Sequence, residues 1–181
     1  VASDASGNVF ATGFFTSPNL TFGSITLVNV SAADVFIAKY DSSGNVLWAK
    51  SAGGIYGDQS LSVCTDSGGN VFVVGMFTSP TLTFGSTTLT LTGTGFPDVF
   101  IVKYDINGNV LWAKSAGGTS GDEGLSVRAD ANGNVYVTGF FKSPTLSFGS
   151  TILSNVDPSG NTIDIFITKY DANGNVLWAS S

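Results

Sequence analysis

The 181 residues include 7 Lys+Arg against 13 Asp+Glu, no His and a single Cys, for a net charge of −6. That balance opposes an electrostatic grip on nucleic acid or anionic lipid, and the missing His removes the commonest general base and metal ligand. One Cys excludes an intrachain disulfide and a Cys-based zinc site, and no apolar run approaches the roughly 18 residues that cross a bilayer.

Read from the start, residues 1–4 form a short strand that ends at Asp4, and GNVFATGFF follows from Gly7. Next come the phrase S-P-x-L-x-F-G-S from Ser17, then DVFIAKYD from Asp34 and NVLWAKSAGG from Asn45. The same order then returns. GNVFVVGMF starts at Gly69, DVFIVKYD at Asp98 and NVLWAKSAGG at Asn109; GNVYVTGFF starts at Gly133, DIFITKYD at Asp164 and NVLWA at Asn175. Self-similarity of this kind marks a repeat architecture. Asp4 to Asp66 is 62 residues and Asp66 to Asp130 is 64; Trp48 to Trp112 is 64 and Trp112 to Trp178 is 66. Trp to the next of these Asp is 18 residues both times, so all length variation lies between the GNVF and DVFI phrases.

Each repeat predicts four strands. Strand A is the LSV phrase (61–66 and 125–130, shortened to 1–4 in the first repeat), B the GNVF phrase, C the D-[VI]-F-I-x-K-Y-D phrase and D the NVLWAKS phrase. Val, Ile, Phe, Tyr and Thr fill them, Gly, Asn and Asp bound them, and no segment keeps a 3.6-residue apolar period. The A–B and C–D joints are D-x-x-G-N, at Asp4, Asp41, Asp66, Asp105, Asp130 and Asp171. Asp closes such a turn with its side chain, and Gly takes the positive φ that the hairpin needs. The B–C segments (16–33, 78–97 and 142–163) carry a small extra hairpin turning at Gly85-Ser86, and are expected to form a variable loop face that the core does not require. Strand C is apolar on both faces, with Phe36 and Tyr40 on one and Val35 and Ile37 on the other. A sheet of that kind lies between two neighbours.

GNVYVTG, DIFITKYD and NGNVLWAKSAGG closely resemble the bacterial β-propeller repeat family usually called SBBP, across all three repeats. The resemblance implies four-stranded blades with A innermost and D outermost, a secreted or cell-surface setting in bacteria or archaea, and no assigned enzymatic activity. The expectation is thus an all-β protein of propeller-type antiparallel blades, three repeats of about 62–66 residues, at 1–54, 55–118 and 119–181. A closed propeller has about four to eight blades. Three leave the two end faces uncovered, which predicts self-association, as a ring or a filament, or further blades of a longer chain.

Several residues invite a chemical reading. Asp105, Asn107 and Asn109, with Asp130, Asn132 and Asn134 and with Asp171, Asn173 and Asn175, place oxygens at positions 1, 3 and 5, as calcium loops do. The Gly at position 4 and the absence of a Glu at position 12 favour plain hairpin turns, and calcium is the weak rival. Asp58, Asp122 and Glu123 are the carboxylates that a glycosidase pair would need, yet a repeated G-D reads as turn chemistry. Lys39, Lys103 and Lys169 stand two residues before Asp41, Asp105 and Asp171, which predicts pairing along a strand face. Trp48, Trp112 and Trp178 are expected to pack between blades at the rim, with sugar stacking as the rival. Cys64 replaces Ala2 and Arg128 of the other repeats and forms no site. Asn19 and Asn29 begin N-glycosylation sequons. The resulting expectation is an extracellular or cell-surface structural and adhesive protein, with no cofactor, no nucleic-acid partner, no membrane insertion and no enzymatic activity. Its rival is a propeller that recognises a glycan or protein through the B–C and D–A loops.

Overall fold

A computed structural model describes residues 1–181 as eighteen strands with no helix. In the first repeat, β1 (Ala2–Ser3) and β2 (Val9–Phe15) lead to a two-stranded hairpin, β3 (Asn19–Phe22) and β4 (Ile25–Val28), and then to β5 (Asp34–Tyr40) and β6 (Val46–Ala52). In the second, β7 (Asp58–Thr65) and β8 (Val71–Phe77) precede the hairpin β9 (Thr81–Phe84) and β10 (Thr87–Thr90), with β11 (Asp98–Tyr104) and β12 (Val110–Ala116) after it. The third runs β13 (Asp122–Ala129), β14 (Val135–Phe141), hairpin β15 (Thr145–Phe148) and β16 (Thr151–Ser154), β17 (Asp164–Tyr170) and β18 (Val176–Ser180). Outside the hairpins, each repeat pairs as one antiparallel four-stranded sheet in the order A-B-C-D. The expected blade is therefore present three times.

The D-x-x-G-N turns close as their chemistry dictates. At Asp130, Oδ1 accepts the backbone N–H of Asn132 and of Asn134, each at 2.9 Å, while Oδ2 accepts the Asn134 side-chain amide at 2.8 Å. Gly133 sits at φ 77°, and the other five turn glycines lie between 77° and 84°. A side chain is strained at such an angle, so glycine is the residue that fits.

Strand A differs from its sequence reading. It begins three residues early, so Asp58 and Asp122 open strands and do not sit in the preceding turn. A bulge between Ser60 and Ser62, and another between Gly124 and Ser126, breaks the two-residue alternation on which a strand reading depends. Leu61 and Leu125 are the extra residues and face solvent. Each bulge turns a carbonyl onto strand B: a Cβ at Gly75 would overlap the Gln59 oxygen, and one at Gly139 the Glu123 oxygen. The glycine of the second and third GNVF phrases is set by this approach, whereas Gly13 of the first is set by the Phe36 ring.

The B–C hairpins also depart from expectation. Leu82, Phe84 and Leu89 are buried, and the Phe84 and Phe100 rings lie 5.2 Å apart. The hairpin packs back on the outer strand of its own blade, and its tip at Gly85 lies beside Val110. Alternating Leu, Phe and Leu gives it one apolar face, and that face is core. Only the connection from the hairpin to strand C varies in length.

Each A strand packs against that of the next blade, β1 on β7 and β7 on β13, while β9 and β15 fill the gaps beside the preceding outer strands β6 and β12. The sheets therefore fan out from the A side. Two clusters of 15 buried residues lie in the seams between blades one and two and between blades two and three. In the second seam Phe72, Val74 and Ile101 of blade two meet Phe148, Phe166 and Tyr170 of blade three. A third cluster of four buried residues supports the outer side of blade one.

Candidate interaction site

Lys39 and Lys103 are almost fully buried, yet neither pairs with the Asp two residues along its strand. Both oxygens of that Asp are already held by N–H donors of its own turn, as at Asp105. Each Lys instead crosses the seam. Lys39 Nζ donates to the Ile106 carbonyl at 3.1 Å, and Lys103 Nζ to the Ala172 carbonyl at 3.1 Å. Within its own blade Lys103 stands 3.8 Å from Asp66 of the A–B turn. It also lies 5.0 Å above the Phe72 ring, a cation–π contact that shields a charge otherwise costly to bury.

The tryptophans meet the same acceptors. Trp48 Nε1 donates to the Ile106 carbonyl at 3.1 Å and Trp112 Nε1 to the Ala172 carbonyl at 3.2 Å. Each indole lies flat on the turn glycine of the next blade, where a Cβ at Gly108 would stand 3.0 Å from Trp48 and one at Gly174 2.8 Å from Trp112. One Lys and one Trp thus grip a single C–D turn across each seam. The rim position read from the sequence holds for Trp48 and Trp112, and the partner of each is a backbone carbonyl.

Within these 181 residues no blade follows blade three, and its side facing away from blade two is uncovered. Ile165 and Ile167 are 73% and 43% exposed, whereas their counterparts Val99 and Ile101 are 2% and 1%. Trp178 is 41% exposed and meets only the Tyr136 ring, edge on, with centroids 6.3 Å apart. On blade one the opposite side is open. There Phe36 and Tyr40 are covered only in part, by Phe22 of the β3–β4 hairpin. Nothing lies within 4 Å of where a Cβ on Gly44 would stand. These two faces make up the candidate site.

The recurring acids are structural. Asp58 Oδ2 accepts from Gly54 N–H at 3.0 Å and from the Ser79 hydroxyl at 2.7 Å, and Oδ1 accepts from the backbone of Thr78 and Ser79, each at 3.1 Å. Asp122 and Ser143 repeat the arrangement. Burial raises both carboxyls above the usual range despite these donors. Glu123 points to the other side of the strand and forms no pair with Asp122. Asp34 and Asp98 were not singled out by sequence reasoning. Each is buried against Gly53 or Gly117, and in each Oδ1 has no hydrogen-bond partner. Burial, with the Asp122 carboxylate adding to it, pushes Asp98 up to about 7. The recurring A-G-G was the available signal, because a pair of glycines after a strand marks something packed closely on the backbone.

In the proposed calcium loops, the Asn at position 5 turns its amide nitrogen, not its oxygen, toward Asp105, Asp130 or Asp171. Those donors and the neighbouring backbone N–H groups hold Asp130 and Asp171 below the usual carboxylate range. At position 5 the donor to the Asp carboxylate is therefore a nitrogen, and no three His, Cys, Asp or Glu side chains cluster anywhere in the chain. Cys64 is buried, and burial pushes its thiol up to about 12, which makes it inert. Asn19 is exposed on β3, while the Asn29 amide donates to the Phe15 carbonyl at 2.8 Å.

No protein-family model matches the chain. It is 29% identical, over 94% of its length, to an uncharacterized WD repeat-containing protein of Acanthamoeba polyphaga mimivirus, and covers 13% of that protein. It is also 30% identical, over 79% of its length, to the regulatory protein FlaEY of Caulobacter vibrioides, covering 14% of it. The chain thus spans about one seventh of the length of these curated relatives. WD repeats are themselves four-stranded propeller blades. With three four-stranded antiparallel blades in its own structure, the chain has a propeller-type repeat fold.

Proposed function

We propose that the chain is a non-enzymatic interaction scaffold of the SBBP type, with blades at 1–54, 55–118 and 119–181. In this reading it serves as a structural and adhesive component outside the cell or on its surface, and works through its blade faces. The observation that carries the reading is that the far sides of blades one and three repeat the apolar faces buried in the two seams, faces made to be covered by a further blade or by a partner. Exposed apolar area that is contiguous and repeats a buried seam is an interaction surface. The carboxylates support the non-enzymatic part, since each repeated acid is tied into a turn or a strand start and no unrepeated polar cluster stands beside them.

The test is binding of an apolar dye to the isolated chain. Strong binding that falls when Ile165 and Ile167 are both changed to Thr, with folding retained, supports the reading. A folded chain that binds no dye overturns it. The cellular setting is tested separately by protease treatment of intact cells, where protection of the chain refutes surface exposure.

A second reading keeps a glycan or protein ligand on the loop face. A cavity of about 430 Å³ between Tyr56, Pro80, Leu91 and Gly93 favours it. Retention of the chain on a glycan or protein matrix, lost in Tyr56→Ala, is the result that would place a ligand there.

A further inference from the structure

We propose that the rim pocket formed at each seam binds an acidic sugar, one uronate unit of a polysaccharide per pocket. The inference adds a ligand class to the scaffold reading above. It uses only surfaces between consecutive blades, none on the far sides of blades one and three.

Each pocket is assembled from two blades. At the first seam, Lys50 and Ser51 of the outer strand β6 face the tip of the β9–β10 hairpin at Ser86 and the end of β11 at Tyr104. Asn109 of the following C–D turn closes the ring of side chains. The volume is about 330 Å³, at the small end of ligand sites. Strand alternation puts Lys50 on the same side of β6 as Trp48, and Trp48 rests on Gly108, which lines the pocket. The tip glycine, Gly85, sits at φ 59° beside Val110, which fixes where Ser86 stands. At the second seam Lys114, Ser115, Ser150, Tyr170 and Asn175 take the same places around about 310 Å³.

The tyrosines set these pockets apart from ordinary crevices. Tyr104 and Tyr170 are 4% and 3% exposed, yet neither hydroxyl has a hydrogen-bond partner within the chain. A buried Tyr hydroxyl normally finds one. Unlike Asp98 Oδ1, neither oxygen is sealed in the core, and the pocket is the opening that each Tyr lines. Lys50 and Lys114 are also without a partner, since the ion pair of this chain joins Lys103 to Asp66. No carboxylate lines either pocket.

The lining selects the ligand. One ammonium with no carboxylate beside it calls for a single negative charge. A phenol, two Ser hydroxyls and the Asn109 side-chain oxygen, whose amide nitrogen is engaged by Asp105, call for ligand hydroxyls that both donate and accept. Phe84 and Val110 give a ring face an apolar wall. A hexuronate has all three features. A phosphate lacks the apolar face, and a fatty acid lacks the hydroxyls.

The experiment is calorimetric titration of the chain with trigalacturonate, with neutral galactotriose and a short polyglutamate as controls. Two equal sites per chain are expected, and both controls should bind at least tenfold more weakly. Lys50→Met should leave one site, and Lys50→Met combined with Lys114→Met none. Tyr104→Phe combined with Tyr170→Phe should weaken binding roughly five- to tenfold, as loss of a hydrogen bond does. Its thermal midpoint should hold or rise, because those hydroxyls bond nothing in the protein. A midpoint that falls would give the hydroxyls a structural partner and overturn the assignment. Binding that survives both lysine changes or both tyrosine changes, or that polyglutamate or galactotriose matches, overturns it too. A folded chain that takes up no trigalacturonate overturns the pocket alone, since the scaffold reading stands or falls on dye binding at the far sides.

Discussion

Gly44 and Gly108 occupy the same place in the same turn, at φ 84° and 81°, yet only Gly108 lies under an indole. Gly44→Ala should cost about 1 kcal/mol, from backbone strain alone. Gly108→Ala adds the displacement of Trp48 and should cost roughly 2–3 kcal/mol, since overpacking adds to strain. Paired denaturation curves check the difference, and equal costs would mean that the indole moves freely. Acid chemistry gives a second prediction. Asp98 has a folded-state pKa of about 7, well above its ordinary value of 3.8, because its carboxyl is buried beside Asp122. The folded protein therefore holds that proton more tightly than the unfolded chain does. The stability this confers is complete below pH 3.8 and is lost as pH rises through about 7. Asp34, Asp58 and Asp122 are raised by burial and act in the same direction. The turn acids Asp41, Asp130 and Asp171 are lowered, so their contribution is present above 3.8 and is lost as pH falls below it. Thermal midpoints should fall from pH 5 to pH 8 in the wild-type chain, and by less in Asp98→Asn. At this scale the turns were legible in the sequence, because Asp, Gly and Asn at fixed spacing have one local solution. The seam partners of Lys39 and Trp48 were not, since both donate to a backbone carbonyl 58 or more residues away, and a carbonyl carries no letter.

Strands B, C and D were readable in full because each keeps its alternation and is bounded by turn residues. Strand A was only half readable, since the bulges at Leu61 and Leu125 interrupt its period. The hairpins were placed correctly, with Gly85-Ser86 at the tip, but their weight in the core was missed. A four-residue strand looks peripheral in sequence, and only the packing shows that Leu82 and Phe84 are as buried as any residue of the blades. Phe84→Ala should therefore destabilise by about 3–5 kcal/mol. Excising the Gly85-Ser86 hairpin should prevent cooperative unfolding of blades one and two, as followed by near-ultraviolet dichroism. Retention of the native signal after excision would return the hairpin to the role of a loop.

At the scale of the whole molecule, each blade meets its neighbours through the same few groups, and these come from phrases that the repeats share almost letter for letter. Blade three offers blade two the Ala172 carbonyl and the glycine seat that blade two offers blade one. Removing residues 55–118 would bring Gly54 to Thr119 and set Lys39 and Trp48 over Ala172 in place of Ile106. The shortened chain should fold cooperatively, with a buried seam and the protected indole fluorescence of Trp48 retained; a molten product would show that the blades are not interchangeable. Repeat proteins owe such tolerance to having only nearest-neighbour contacts. The clamp therefore has a consequence for inheritance. A gene built of these near-identical stretches can gain or lose one by unequal recombination, and every protein so produced keeps the same seam between neighbouring blades. Length is then free to drift between descendants while the chemistry by which blade meets blade is passed on unchanged.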